Sequence, residues 1–398
     1  MLIEDPALSN VRKTLTIRAL VGFGTRPEAI KMAPMVKALQ NDGLFDTKVV
    51  TTGQHTSILR QVLDVFEIEP TLELELIRST NSLGELTSKL MEVAASAVEK
   101  ISPDVVVVQG DTTTTFVLAL AAFYAKVKVV HLEAGLRTSN RYSPFPEEIN
   151  RRITSQLTDL HLAPTSISAR NLLSEAISPE HIVTTGNTVI DALLDVVSGD
   201  YEMETEEVPE ILSSGRKYIL VTMHRRESWG EPMEQVSSAL GDIAKKYPDY
   251  DLVLPLHPNE LVQRAMRSGL RGATNVKIIS PAPYVDFCRL MNGASIILTD
   301  SGGIQEEAPS IGKPVLVARD TTERPEAITA GVAKLVGVNP VDVTREISLL
   351  LEDESYYNSI ARRSNPFGDG HAATRSVAAI KWIFGAGERP ADFEYVAE

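Results

Sequence analysis

IILTDSGGIQEEAP (296–309) opens as a short apolar run, breaks into Asp300-Ser301-Gly302-Gly303, and meets two adjacent glutamates almost at once. An apolar run closed by glycines and leading into a helical stretch reads as a buried strand feeding a helix. The pattern repeats along the chain. A first series runs TIRALVGF (16–23), TKVVTT (47–52), DVVVVQ (104–109), KVVHL (128–132) and LHLAP (160–164). After an acidic connector, EMETEEVPE (202–210), which reads as a solvated surface, a second series begins. It comprises KYILVTM (217–223), DLVLPL (251–256), VKIIS (276–280), SIILT (295–299) and PVLVA (314–318). The runs are apolar throughout instead of alternating, as strands covered by helices on both faces are. Strand–helix alternation implies right-handed crossovers and parallel sheets. The expected fold class is α/β, with two Rossmann-like doubly wound domains facing a central cleft.

The totals agree. A chain of 398 residues is too long for one ordinary core and suits two domains. With 43% hydrophobic and 23% charged residues, its composition is that of an ordered globular protein. No apolar run approaches the ~20 residues a membrane span needs; FVLALAAFYA (116–125) stops at Lys126. Arg12, Lys13 and Arg18 interrupt the N-terminus, which therefore lacks a signal-peptide core. One cysteine, Cys288, excludes an intrachain disulfide and a Cys-rich metal site. Together these point to a cytoplasmic protein. A net charge of −14 and a pI near 5.1 disfavour nucleic acid and anionic membrane as partners. An anionic ligand would need a local cluster of Arg, Lys and helix N-termini.

In open α/β sheets ligands sit beyond the carboxyl ends of the strands. The segments leaving the strand ends of this chain are GTRPEAIK (24–31), GQHTS (53–57), GDTTTT (110–115), EAGLRTSNRYSPFPEE (133–148), HRRESWGEP (224–232), HPNE (257–260) and DSGGIQEE (300–307). These loops are unusually rich in Arg, His and Gly. GFGTRPEA (22–29) nearly matches a dinucleotide fingerprint, but Pro27 occupies the third glycine position and excludes the close packing that NAD binding needs. What remains is a tight turn near a helix N-terminus, to be read either as structural or, with Arg26 and Lys31 beside it, as an anion pocket.

Asp111 comes directly after a buried strand, where four threonines already supply helix caps. A carboxylate there suits proton transfer. Glu133 and Glu147 complete three carboxylates at consecutive strand ends, among Arg137, Arg141, Arg151 and Arg152. The alternative for Arg151 and Arg152 is simple surface ion pairing. His224, Arg225 and Arg226 together favour phosphate, and no second metal ligand stands at usual spacing from His224. His257 shares the rim with less to support it. Around Ser301, Gly302 and Gly303, bare amides at a helix start attract phosphate. A glutamate one turn later can reach a diol, as in dinucleotide sites. Glu306 and Glu307 lie about 100° apart on a helix, so one of them faces the ligand and spacing does not choose which. Glycines for a pyrophosphate and a carboxylate for a diol describe a nucleotide.

The motifs GTRPEAIKMAP, QGDTTTTF, HLEAGLRT, PFPEEINRR, HRRESWGEP, DSGGIQEEAPSIGKPVL and RDTTERPEA, in this order, resemble the non-hydrolysing UDP-N-acetylglucosamine 2-epimerases. The resemblance runs from about residue 15 to about 385, and the combination is specific where each motif alone is not. It implies a glycosyltransferase-B type fold with an N-terminal domain at 1–186 and a UDP-binding C-terminal domain at 187–371. A C-terminal helix within about 372–398 would cross back to the first. It implies interconversion of UDP-GlcNAc and UDP-ManNAc by elimination of UDP to 2-acetamidoglucal and re-addition, for surface polysaccharide or cell-envelope precursor synthesis. Asp111, Glu133 and Glu147 fall on the family's acid/base carboxylates, and His224, counted with them as catalytic, falls on a UDP phosphate contact. Arg26, Lys31, Arg137, Arg151, Ser301, Gly302 and Gly303 fall on substrate contacts, and Glu307 on the ribose contact. The resemblance implies a homodimer with a UDP-sugar substrate, no redox cofactor and no obligatory metal. Gln54, His55 and His257 fall where relatives hold a second UDP-GlcNAc as activator. Thr56 and Ser57 replace the usual long polar pair there, and PLHPNE replaces His-Leu-Asn-Pro. Those departures bear on allosteric activation, not on catalysis.

Overall fold

A computed structural model describes residues 16–53, 56–74, 76, 82–138 and 140–395. The first of its two parallel sheets holds β1 (Ile17–Phe23), β2 (Phe45–Thr52), β3 (Leu72–Leu74), β4 (Val105–Gln109), β5 (Lys128–Leu132), β6 (Leu160–Ala163) and β7 (Ile182–Thr184). Its order is β3-β2-β1-β4-β5-β6-β7. The second holds β8 (Lys217–Thr222), β9 (Tyr250–Pro255), β10 (Val276–Ile279), β11 (Ile296–Thr299), β12 (Val315–Val317) and β13 (Ala333–Leu335). Its order is β10-β9-β8-β11-β12-β13. Both are doubly wound. The winding reverses between β1 and β4 in one and between β8 and β11 in the other, the switch points where such sheets place ligands.

The physical basis is plain in β4 and β11, where every residue is buried. Beneath the first sheet, Val106 and Val108 pack with Leu86, Leu90, Leu118 and Ala122 from helices Leu83–Ile101 and Thr113–Tyr124. In the second, Val221, Leu254 and Leu298 pack with Val236, Leu240 and Ile347. The apolar run FVLALAAFYA is thus a core-facing helix. Strands β3, β7 and β13 add to the expected set; each has three residues, too few to show a pattern.

Two compact units emerge. One ends at Leu162 and takes back Ile383–Ala386; the other holds Ala163–Trp382 and resumes at Gly387. The first sheet continues beyond that division to β7. The C-terminal segment lies against this last strand. It grips β7 through Thr184 N to Asp392 Oδ1 at 2.7 Å, Phe393 N to Thr184 O at 2.7 Å, and Arg389 Nη2 to Ile182 O at 2.9 Å. The acidic connector keeps Glu202, Glu204 and Glu206 at least partly exposed, as expected. Its backbone, however, is anchored: Glu204 N and Thr205 N donate to the buried Asp286 carboxylate at 2.8 and 3.0 Å. No helix among the described residues is long and apolar enough to cross a membrane.

The helix Ala372–Ile383 starts on Asp191, whose carboxylate accepts from Ala372 N at 3.2 Å and Ala373 N at 2.9 Å. Burial pushes this carboxyl up to about 6, against the opposing pull of those amides. The folded state therefore holds the Asp191 proton more tightly than the unfolded chain does. Its contribution is fully present below the unfolded carboxylate value near 4 and is lost as pH rises through about 6. Thermal unfolding should show wild type losing stability relative to Asp191→Asn across that window, with a constant difference above it. A difference independent of pH would contradict the assignment.

Candidate active site

In register, β4 and β5 place Gln109 beside Leu132, so the segments leaving them share one rim. Glu133, the first residue beyond β5, sits at φ 61°, uncommon for a residue with a Cβ, and is buried. Its carboxylate accepts from Lys31 Nζ at 2.5 Å and from Gln109 Nε2. Gly110 turns the chain at φ 72°, and a Cβ there would lie 3.4 Å from Glu133 Oε2. Glycine makes this turn without the strain that a Cβ brings at positive φ. Next comes Asp111, whose Oδ2 accepts from Arg151 Nε and Nη2 at 2.9 and 2.7 Å.

Glu147 opens the helix Glu147–Leu157, half-buried, with no hydrogen bond or ion pair on its carboxylate among the described residues. Its neighbour Glu148 is the structural one. Fully buried, it accepts from Thr138 N at 3.0 Å, Arg152 Nε at 2.8 Å and Arg151 Nη1 at 3.4 Å. Arg151 thus links Glu148 to Asp111, and Arg152 braces Glu148 from the next turn of the same helix. Arg137 is committed to Leu136 O and Ser155 Oγ, each at 2.8 Å. Arg26 starts the helix Arg26–Gln40, with no ion pair among the described residues.

Two residues that the sequence did not single out shape this rim. Glu28 is buried and accepts from Gly24 N at 3.1 Å, Thr25 N at 2.8 Å and Thr112 Oγ1 at 2.6 Å, tying the turn after β1 to the turn after β4. Burial raises its carboxyl despite those donors. His131, in β5, donates through Nε2 to Gly110 O at 2.7 Å, and burial pushes it down to about 3, so the ring is neutral. A capping-box spacing, Thr25 to Glu28, is visible in GTRPEA and could have flagged the glutamate. Nothing in the sequence marks His131.

On the second sheet β8 and β11 pair in register, and Thr222 and Thr299 join their ends through hydroxyls 2.7 Å apart. Asp300 comes next, fully buried. It accepts from Arg225 N at 2.9 Å and His224 N at 3.1 Å, and its Oδ1 lies 3.2 Å from His224 Nδ1. Burial alone would raise this carboxyl; His224 and the two amides hold it below the usual carboxylate value. Arg225 forks onto Glu323 at 2.9 and 3.0 Å. Burial would raise the Glu323 carboxyl too, and Arg225 outweighs it. Ser301 stands at the N-cap position of the short helix Gly302–Glu307, without a side-chain cap hydrogen bond. A Cβ on Gly302 would come 3.3 Å from Arg225 Nη2, so Arg225 overhangs this start. Of the paired glutamates, Glu306 is buried, bonded to Arg324 Nε and to Asn187 Nδ2, the latter at 2.7 Å. Glu307 is half-buried, and its Oε1 would lie 3.2 Å from a Cβ on Gly303.

His257 is exposed, its ring 6.5 Å from that of Trp229, and its Nδ1 accepts from Asn259 N at 3.1 Å. Gln54 and His55 lie outside the described residues. No group of three or more potential metal ligands occurs among the described residues.

A family model described as UDP-N-acetylglucosamine 2-epimerase matches residues 37–381. The UDP-N-acetylglucosamine 2-epimerase of Escherichia coli K12 is 48% identical over 370 residues, covering 92% of this chain and 98% of the relative. A solved structure from Neisseria meningitidis, a UDP-GlcNAc 2-epimerase bound to UDP-GlcNAc, matches at 45% identity and a TM-score of 0.81, covering 92% of this chain and 99% of that one. The Methanocaldococcus jannaschii UDP-GlcNAc 2-epimerase, in complex with UDP-GlcNAc and UDP, matches at 32% identity and 0.72, covering 92% and 100%. The fold is of the glycosyltransferase-B type, two parallel sheets with alternating helices. The chain belongs to the UDP-N-acetylglucosamine 2-epimerase family.

The adjacent glutamates at 147 and 148 should separate in stability. Glu148→Ala leaves two arginines without their buried partner and should cost about 3 kcal/mol in denaturant unfolding. Glu147→Ala should stay within about 0.5 kcal/mol of wild type. Equal losses would mean that Glu148 does not anchor the loop.

Proposed function

We propose that this protein is a non-hydrolysing UDP-N-acetylglucosamine 2-epimerase, interconverting UDP-GlcNAc and UDP-ManNAc without an acceptor. One observation supports it above the rest: Asp111 and Glu133 stand at adjacent strand ends, and each is held by a cation, Arg151 and Lys31. Inverting carbon 2 requires removing a proton from one face of the sugar and returning one to the other. That hydrogen is a poor acid, so a carboxylate needs help. Loss of UDP supplies it, because charge leaves on the diphosphate while the proton departs.

In this reading the reaction passes through 2-acetamidoglucal, with Asp111, Glu133 and Glu147 moving the protons. Arg26, Lys31 and His224 bind the diphosphate together with Ser301 and the amides of Gly302 and Gly303, an electrostatic role often worth several kcal/mol. Arg137 and Arg151 support the sugar-side loops, and Glu307 takes the ribose diol. The buried pairing of Glu306 with Arg324 and Asn187 leaves its neighbour for that task. The product would serve surface polysaccharide or cell-envelope precursor synthesis. With one cysteine no intrachain disulfide can form, and we place the enzyme in the cytoplasm. A homodimer fits the exposed Phe123 and Tyr124 at one helix end and Ile153 on the helix Glu147–Leu157, which packs against it.

In deuterium oxide the enzyme should place one deuterium at carbon 2 of the product, read by proton NMR. Asp111→Asn, Glu133→Gln and Glu147→Gln should each lose at least ~10²-fold in kcat while still binding UDP. Product free of deuterium, or full activity in all three variants, would contradict this chemistry. Calorimetry should show His224→Ala weakening UDP binding roughly thirtyfold, the loss of one charged hydrogen-bond partner. Unchanged affinity would remove His224 from the diphosphate.

A further inference from the structure

Asp300 is a charged group placed where none is needed for solubility: it is fully buried between a strand end and a helix start. Three donors converge on it, and two of them are backbone amides of the turn that carries His224. The third is the imidazole. An ionised carboxylate can only accept, so the ring nitrogen facing it must carry a proton. That fixes the ring as the Nδ1–H tautomer and turns Nε2 away from Asp300. The His224 side chain is 52% exposed. Arg225 is fixed at both ends, by its amide on Asp300 and its guanidinium on Glu323, so the turn has little freedom to re-aim the ring.

We infer that Asp300 is the positioning residue for His224, setting its tautomer and presenting Nε2 to the diphosphate of the UDP-sugar. This rests on the UDP site proposed above. A diphosphate only accepts, so it needs a proton on Nε2 as well, and the Asp300 carboxylate beside Nδ1 balances the single charge of a ring protonated at both nitrogens. An asparagine would keep the shape and still accept from the two amides. Its amide hydrogens would then face Nδ1 and move the single proton to Nε2, leaving a neutral ring that donates to the diphosphate without the help of charge.

The test uses full-length protein with nitrogen-15 in its histidines, in alkaline buffer. The His224 signal is assigned by its loss in His224→Gln. Wild type should show a protonated Nδ1 and a bare Nε2; a protonated Nε2 in wild type would overturn the inference without any variant at Asp300. Asp300→Asn should shift the proton to Nε2 and weaken UDP binding roughly tenfold by calorimetry. If Asp300→Asn binds UDP as wild type does while His224→Ala does not, Asp300 does not position the ring for UDP. If wild type fails to bind UDP, the functional reading fails, and the tautomer measurement still decides the role of Asp300.

Discussion

A buried carboxylate gripping backbone amides at the sheet's switch point recurs in both halves of this chain, and the site depends on it. In the first sheet Glu28 holds the amides of Gly24 and Thr25 and reaches across to Thr112. In the second, Asp300 holds the amides of His224 and Arg225. The constraint behind this is general. A parallel sheet buried on both faces must end its strands in loops whose amides have no ladder partners, and buried amides cannot go unpaired. A carboxylate satisfies several at once, and the geometry it fixes is the geometry of the residues beside it.

Cations show the same economy of placement. Lys31 and Arg151 are each bound to a carboxylate proposed for proton transfer, Glu133 and Asp111. In the second sheet Arg225 and Arg324 are already paired with Glu323 and Glu306, and His224 is half-exposed at that rim. An acidic protein can thus bind an anionic substrate through local placement, against its net charge.

The alternation of apolar runs and glycine-ended loops made the α/β class legible, because fully buried strands need no polar face and so read as unbroken runs. The three-residue strands β3, β7 and β13 escaped, since their identity comes from neighbours and not from pattern. For the site, strand-end position was enough to single out Asp111, Glu133 and His224. Roles within adjacent pairs were not legible: Glu147 against Glu148 and Glu306 against Glu307 differ by burial, which is set by packing from distant segments such as Asn187 and Thr138. Glu28 and Asp300 were hidden for the same reason. Both look like helix-start acids in sequence, and their cross-loop contacts exist only once the switch points form.

A proton NMR time course with UDP-GlcNAc as the sole sugar tests acceptor-free epimerisation most directly. Elimination and re-addition within one site predict a second anomeric UDP-sugar signal, rising to a constant ratio with the first, with free UDP remaining a minor species. Stoichiometric release of UDP and free sugar, or no change until an acceptor is added, would contradict it.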